Sequence, residues 1–234
     1  MQRSLAHIST LTFDMFGTVL DLSGSIVPAV RDFLAAAGAE ADAAAVWADW
    51  RPRQRLEQHQ DTILMLGHRG YLDSARRALQ HTLQRHGVAY TADSVRDLLG
   101  VFERLRPFED AQAELLRLGE RYRLVALSNG DRALVEHLAT NNVEATFDRS
   151  LSVDSVGRFK PHPSVYRMAA SELGCEPAEI MMVAAHAFDI LGARACGYRG
   201  AYVNRYGLPY EESALLPDFE VRDFHELADR LLGR

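Results

Sequence analysis

The stretch LTFDMFGTVLD, from Leu11 to Asp21, determines how the rest of the chain is interpreted. Its apolar beginning predicts a short buried strand that ends at Asp14. Gly17 follows as a turn residue, and the Thr18 hydroxyl can hydrogen-bond a neighbouring oxygen. A carboxylate at the end of a buried strand is costly unless another group pairs with it or uses it. Asp14 is therefore either a turn or helix-capping residue or a reactive group.

The composition predicts a globular protein that binds neither nucleic acid nor membranes. The 234 residues carry a formal net charge of −6, and 47% of them are hydrophobic. This length accommodates one large domain, or a core with a smaller inserted domain. No apolar run approaches the roughly 20 residues of a membrane span, and the N-terminus has no apolar signal region. Cys175 and Cys196 form no C-x-x-C pair, so a reduced, cytoplasmic protein is expected.

Hydrophobic periodicity divides the chain into a helical segment and an alternating one. The helical segment contains predicted helices at 26–37, 43–66, 72–85 and 93–105. From Pro107 onward, short apolar strands alternate with helices, which indicates right-handed βαβ units and a mostly parallel sheet. We predict an α/β, Rossmann-like core with helices on both faces, formed by residues 1–22 and 107–234. Residues 23–106 are predicted to be an inserted, all-helical cap domain.

Polar residues stand at the carboxyl ends of the predicted core strands. These strands are expected at 11–14, 123–128, 149–154, 179–185, 200–204 and 219–221. Ligands bind beyond the carboxyl ends of parallel strands, so the polar residues there share one crevice. They are Asp14, Ser128, Asn129, Lys160, His186 and Asp189, and Lys160 is the only lysine among 26 basic residues. Each residue alone has a structural explanation such as a cap, but together they predict an active site.

Four of these segments resemble the motifs of the haloacid dehalogenase superfamily. They are Asp14–Thr18, Ser128–Gly130, Lys160–Pro161 and Val183–Asp189. The helical insertion after the first motif also fits this superfamily. Its magnesium-dependent phosphatases have a general-acid Asp where this chain has Phe16. They usually have a further metal-binding carboxylate where this chain has Ala185, and Mg²⁺ requires such oxygen ligands.

The chain is more similar to the L-2-haloacid dehalogenase branch, whose reaction needs neither a metal nor a general acid. FDMFGT, LSNG, FKPHPSVY and the Trp50–Arg51 pair carry this resemblance. Halide leaves as an anion without a proton, which explains why no acid is needed at Phe16. The resemblance implies hydrolysis of short-chain (S)-2-haloalkanoic acids to (R)-2-hydroxyalkanoic acids through an aspartyl ester. It implies no cofactor, and the expected partners are the 2-haloacid and the halide.

The resemblance also implies roles in the displacement of halide. Asp14 is the nucleophile, Lys160 keeps it ionised, and Thr18 orients it. Arg51, together with Asn129, stabilises the departing halide. Tyr71 falls where the branch has an aromatic wall near the halide, although a helix-start core residue is an equal explanation.

A second set of residues is assigned to substrate binding and ester hydrolysis. Ser128 and the backbone N–H groups of Met15 and Phe16 are predicted to hold the substrate carboxylate. Asp189 is predicted to activate or position the water that hydrolyses the ester. Tyr166 either orients the site or packs as a core residue with a solvated hydroxyl.

The fourth motif departs from the pattern of this branch. The branch has Ser-Ser-Asn, whereas this chain has Ala184, Ala185 and His186. Either His186 takes over part of the missing role and adds pH dependence near neutrality, or the substrate range or activity is altered.

Two other functions remain open at this stage. The chain could be a phosphatase of the same superfamily, or a non-catalytic binding protein that retains the fold. A dinucleotide enzyme is disfavoured because no G-x-G-x-x-G follows the first strand. The apolar residues Ile63, Leu64, Met65 and Leu66 either form a homodimer face or pack against their own helices.

Overall fold

A six-stranded parallel sheet forms the centre of the molecule. The computed structural model describes Leu5 and residues 7–65 and 67–233. The strand order is β5-β4-β1-β6-β7-β8, and all five pairings are parallel. The strands are β1 (Thr10–Phe13), β4 (Arg123–Ser128), β5 (Arg149–Ser152), β6 (Ile180–Ala184), β7 (Arg199–Val203) and β8 (Phe219–Val221). The predicted α/β fold class is therefore confirmed.

Strand β1 is central because its residues are apolar or small and are buried on both faces, as parallel sheets require. Leu11 and Phe13 pack into one core together with Phe224. Val125 and Leu127 of β4 belong to a second core. The two cores follow from the alternation of side chains along a strand.

The helices enclose the sheet and build the segment inserted after β1. In the described part of the chain they are α1 (Leu22–Ala36), α2 (Ala43–Ile63), α3 (Tyr71–Arg85), α4 (Ala92–Leu99), α5 (Glu109–Gly119), α6 (Arg132–Asn141), α7 (Pro163–Leu173), α8 (Ala187–Ala195) and α9 (Phe224–Leu232). None of the described helices is long and apolar enough to cross a membrane.

A short antiparallel pair joins the two ends of the helical segment. Strand β2 (Leu20–Asp21) pairs with β3 (Arg106–Pro107), so the chain leaves and returns at one place. Helices α1 to α4 lie between these strands in sequence. This arrangement is compatible with an inserted cap at 23–106, and the division into two domains stays a prediction.

Several element boundaries differ from those predicted, and local hydrogen bonds give the reasons. Helix α1 begins at Leu22 rather than residue 26, because the Asp21 carboxylate accepts from the Gly24 N–H and caps the helix. Helix α2 continues through Pro52 without a break and ends at Ile63. The predicted helix at 93–105 divides into α4 and a 3₁₀ turn, Gly100–Arg104.

The apolar residues at the end of α2 do not pack against the protein's own helices. Ile63, Leu64 and Met65 are 77%, 61% and 72% exposed. The alternative of burial is therefore wrong for these three residues, and Leu66 lies outside the described residues. Their role in a homodimer stays a prediction.

Candidate active site

Asp14 lies directly after β1, at the carboxyl edge of the sheet. Its N–H continues the sheet by donating to the Val183 carbonyl at 3.0 Å. Its Oδ1 accepts from Lys160 Nζ at 3.0 Å, and its Oδ2 accepts from the Thr18 hydroxyl at 2.9 Å. Only 6% of Asp14 is exposed. Such a buried carboxylate with two fixed donors is held in one orientation.

The Lys160 ammonium lies between two carboxylates. It donates to Asp14, to Asp189 Oδ2 at 2.5 Å and to the Leu127 carbonyl at 2.8 Å. All three ammonium protons are therefore used. One buried positive charge faces two acidic groups, so the ionisation of the two carboxyl groups is linked.

The pKa values of Asp14 and Asp189 are shifted in opposite directions. Burial works to raise the pKa of Asp14, but the Lys160 charge and the hydrogen bonds to Asp14 hold it below its ordinary value. Burial raises the pKa of Asp189 to about 6 despite the same ammonium. Burial would lower the pKa of Lys160, yet the two acids raise it. Asp14 is consequently ionised at neutral pH, as a nucleophile must be.

The turn after Asp14 connects two strand ends. The Thr18 hydroxyl donates to Asp14 and accepts from the Ala185 N–H at 2.9 Å. Gly17 has φ of 88°, and a Cβ there would lie 2.9 Å from the Tyr206 hydroxyl and 3.0 Å from His186 Cε1. Glycine is thus needed both for the backbone conformation and for the close approach of these side chains.

Backbone N–H groups at this turn are available to an anion. Within the described ranges, the N–H groups of Met15 and Phe16 donate to no backbone oxygen. Phe16 is buried and stacks on Tyr71 with ring centroids 4.3 Å apart. The aromatic ring fills the position where a phosphatase would have its acid.

The wall that α2 contributes to the cavity is basic. Arg51 and Arg55 stand one turn apart on α2, and both line a cavity of about 400 Å³. Arg51 donates to the Tyr71 hydroxyl at 3.2 Å and to Gln54 Oε1 at 3.0 Å. Among the described residues, no carboxylate lies within 4.0 Å of either guanidinium. Two unpaired cations facing one cavity favour an anionic ligand.

Arg55 was not predicted from the sequence, where an arginine on a polar helix resembles any surface residue. Burial, and then the charge of Arg51, lower the pKa of Arg55 to about 10. Its Nε is buried without a hydrogen-bond partner, and its guanidinium lies 5.4 Å from the Phe188 ring centroid. Tyr206, in the loop after β7, donates to the Gly17 carbonyl at 2.8 Å and lines the same cavity, and it was also not predicted.

The remaining predicted side chains form hydrogen bonds around Asp14, Lys160 and Asp189. Ser128 is fully buried, and its hydroxyl accepts from the Gly130 N–H at 3.1 Å. Asn129 Oδ1 accepts from the Lys160 N–H at 2.8 Å. The Tyr166 hydroxyl donates to Asp189 Oδ1 at 2.7 Å and is therefore hydrogen-bonded within the protein rather than solvated. The roles assigned to these side chains stay predictions.

Trp50 is a core residue and does not line the cavity. It is fully buried, its indole N–H donates to the Ala75 carbonyl at 2.8 Å, and its ring contacts Phe102 edge to face. It anchors α2 against α3 and so fixes the position of the neighbouring Arg51.

Asp131 links the core to α3 and was also missed. Its Oδ1 accepts from the Tyr71 N–H at 2.7 Å, and its Oδ2 accepts from the Leu72 N–H at 3.1 Å. Gly70, with φ of 98°, allows this approach, because a Cβ there would lie 2.8 Å from Asp131 Oδ1. A core carboxylate therefore caps the helix that presents Tyr71.

Replacement of Asp131 by Ala is expected to destabilise the protein by about 1 kcal/mol, because two helix N–H groups lose their acceptor. Asp131→Asn is the matched control and should lose less stability, since its one amide oxygen still accepts from one of the two N–H groups. Urea unfolding of the three proteins measures the difference. Equal losses for both variants would contradict the capping role.

One acidic and histidine cluster resembles a metal site but is used for helix capping. His68, Asp131 and Asp154 offer ligand atoms within 4.8 Å of one another. However, both Asp131 oxygens accept from N–H groups of α3, and Asp154 Oδ2 accepts from the Arg132 N–H at 2.7 Å. These carboxylates already have partners, so we assign no metal to them. The expectation that the reaction requires no metal stays a prediction.

The sequence and fold match known proteins over nearly the whole chain. A model of the haloacid dehalogenase-like hydrolases matches residues 8–197. A haloacetate dehalogenase H-2 of Moraxella sp. (strain B) is 31% identical over 219 residues, which cover 93% of this chain and 95% of the relative. An (S)-2-haloacid dehalogenase of Pseudomonas sp. (strain YL) is 30% identical over 225 residues, covering 95% and 94%.

A solved structure of similar fold contains a covalently bound ligand. It is an L-2-haloacid dehalogenase from Xanthobacter autotrophicus with chloropropionic acid covalently bound. Its TM-score is 0.82 at 26% identity, covering 97% of this chain and 98% of the other. The chain belongs to the haloacid dehalogenase-like hydrolases. The predicted similarity to the L-2-haloacid dehalogenases is confirmed as well.

Proposed function

We propose that this enzyme hydrolyses short-chain (S)-2-haloalkanoic acids to (R)-2-hydroxyalkanoic acids through an ester on Asp14, without a metal. The observation that carries the proposal is the pairing of an ionised, buried Asp14 with Lys160, next to the apolar ring of Phe16. A leaving group that departs here receives no proton from Phe16, and halide needs none. The activities named for the relatives agree with this chemistry.

The first half of the reaction is a displacement at the α-carbon. An Asp14 oxygen forms a bond to carbon while the carbon–halogen bond breaks and halide leaves with its electron pair. Asp14 attacks from the side opposite to the leaving halide, so the configuration at the α-carbon is inverted. The (S) acid therefore gives an ester of (R) configuration. The Met15 and Phe16 N–H groups, with Ser128, bind the substrate carboxylate. Arg51 faces the departing halide from α2, with Asn129 below it.

The second half is hydrolysis of the ester. Water attacks Cγ of Asp14, so the bond between the α-carbon and its new oxygen stays intact and the configuration is kept. The product hydroxyl oxygen then originates from Asp14. Lys160 and Thr18 hold the carboxyl group in place during both halves.

Arg51→Ala is expected to slow halide displacement by about 10²- to 10³-fold, because charge that develops on the halogen loses its counter-charge. The loss should be larger for 2-chloropropionate than for 2-bromopropionate, since chloride is the poorer leaving group. Rapid-mixing measurement of halide release with both substrates tests this. Arg51→Lys keeps the charge without the planar fork and should be intermediate. An equal loss with both halides would argue against a contact with the leaving group.

A single turnover in ¹⁸O-water tests the covalent route. With excess enzyme over (S)-2-chloropropionate, the first lactate formed should contain no heavy oxygen, because its hydroxyl comes from Asp14. Heavy oxygen should instead appear in Asp14. Incorporation of solvent oxygen into that first lactate would exclude the ester. Magnesium-dependent phosphate release, abolished by EDTA, would instead indicate the phosphatase alternative.

The proposed partners are the small haloacid and the halide ion, and the proposed location is the cytoplasm. The exposed residues Ile63, Leu64 and Met65 mark where the predicted homodimer contact would lie. Light scattering on the purified protein measures the oligomeric state directly.

A further inference from the structure

Asp189, the predicted base for ester hydrolysis, has no free oxygen directed at the cavity. Its Oδ2 accepts from Lys160 and its Oδ1 from the Tyr166 hydroxyl. The residue is 0% exposed. A pKa near 6 would suit a base, but a base must also reach the water whose proton it takes. The position of Asp189, rather than its basicity, therefore argues against a role as the base for ester hydrolysis.

His186 has the free nitrogen that Asp189 lacks. Its Nδ1 is buried, has no hydrogen-bond partner and lies 3.8 Å from Asp14 Oδ2. His186 also lines the cavity that Arg51 and Arg55 border. A buried polar atom without a partner destabilises a folded protein, so His186 Nδ1 lowers the stability of the fold at this position.

The His186 ring is held in place by its neighbours. It packs edge to face on Phe188 at 5.5 Å and on Tyr206 at 6.2 Å between ring centroids. Its other edge rests against Gly17, where any side chain would collide with it. The ring is therefore oriented with Nδ1 toward the nucleophile.

We infer that His186 is the general base that activates water for hydrolysis of the Asp14 ester, and that Asp189 positions Lys160. The inference rests on the proposed function. Water bonds through oxygen to Cγ of Asp14 while one of its protons moves to Nδ1 of His186. The acyl carbon–oxygen bond of the tetrahedral adduct then breaks, and His186 returns the proton to the departing hydroxyl oxygen. The remaining proton leaves the regenerated Asp14 carboxyl group to solvent.

The charges around the ring keep His186 in the neutral form that a base requires. Burial comes first, and then the positive charges of Arg55, Arg51 and Lys160 lower its pKa well below the ordinary value. The charge of Asp14 opposes this effect, and ester formation removes that charge. His59 and the Tyr206 hydroxyl also border the cavity, and Asp189 lies on the same helix as His186, one turn further on.

The decisive experiment follows the two halves separately in His186→Asn. Rapid mixing with (S)-2-chloropropionate should give a halide burst of one equivalent per site, followed by a steady rate about 10²-fold or more below that of the wild type. Mass spectrometry of the quenched protein should find the ester on the peptide containing Asp14. His186→Gln should behave alike, and the burst itself reports that either variant is folded. His81→Asn, on α3 away from the cavity, is the matched control and should match the wild type.

The pH dependence of ester decay supplies a second readout. In the wild type the rate should fall on the acid side, below the ordinary pKa of histidine, as His186 becomes protonated. Arg55→Gln should move this limb to higher pH because one nearby positive charge is lost, and His186→Asn should remove the limb. A structural effect of the substitutions would not produce this pattern.

The possible results separate this inference from the proposed function. A normal halide burst followed by unslowed ester decay in His186→Asn would overturn the inference alone. Ester accumulation in Asp189→Asn but not in His186→Asn would return the role to Asp189. Absence of halide release by the wild type, in the first turnover and in the steady state alike, would overturn the proposed function and this inference with it.

Discussion

Replacement of Asp14 by Asn is expected to abolish halide release, lowering the rate by about 10⁴-fold or more, because the reaction loses its nucleophile. Asn has nearly the same volume, and its one amide oxygen can still accept from Lys160, so the fold should be retained. No ester can form on an amide nitrogen under these conditions. The loss should therefore appear in the halide burst itself and not only in the steady state.

Stopped-flow measurement of halide release, with circular dichroism to verify folding, tests this prediction. Asp97→Asn removes an exposed carboxylate on α4 and is the matched control. It should leave the burst unchanged. Halide release by Asp14→Asn within tenfold of the wild type would show that another group attacks the substrate.

Lys160→Met is expected to lower the free energy of unfolding by about 3–5 kcal/mol at neutral pH, because Asp14 and Asp189 lose their shared counter-charge while both stay buried. The rate of halide release by Lys160→Met should fall as well. Burial is then unopposed by the ammonium and raises the pKa of Asp14, so less of the nucleophile is ionised. This substitution thus affects stability and catalysis through one cause.

The destabilisation should depend on pH with a defined sign. Without Lys160 the two carboxyl groups have pKa values in the folded protein above those in the unfolded chain. Such groups destabilise the fold at high pH, and the penalty is relieved as the pH falls through the folded pKa toward the unfolded value of about 4. The deficit relative to the wild type should therefore be larger at pH 8 than at pH 5.

Urea unfolding at the two pH values measures this difference. Adding Asp189→Asn to Lys160→Met removes one of the two unpaired carboxylates and should recover part of the stability. A deficit that is the same at both pH values, or that the second substitution deepens, would show that lost packing of the lysine stem dominates.

The sequence was sufficient to predict the parallel sheet and the side chains at its carboxyl edge. Apolar runs of four to six residues predict strands locally, and the alternation with helices predicts their parallel arrangement. Because the strand ends of a parallel sheet meet at one edge, the sequence predicts that Asp14, Lys160 and Asp189 lie close together. The structure places them within direct hydrogen-bonding distance.

The contacts between the helical segment and the core could not be predicted in the same way. Asp131 caps α3 across 60 residues of sequence, and Arg55 shares a cavity with His186 at a still greater separation. Nothing in the local pattern distinguishes Arg55 from Arg53 on the same helix, which pairs with Glu57. Only the rotation of α2 against the sheet decides which of them faces the nucleophile.

The site also depends partly on local sequence and partly on tertiary contacts. The sequence alone predicted the fold class and the meeting of Asp14 with Lys160, because these depend on residue type and on strand periodicity. The tertiary structure decided which side chains have a free atom toward the cavity. Asp189 is closed off by Lys160 and Tyr166, whereas His186 keeps an unpartnered nitrogen 3.8 Å from Asp14. Hydrogen-bond saturation depends on every neighbour in space, and no single stretch of sequence contains that information.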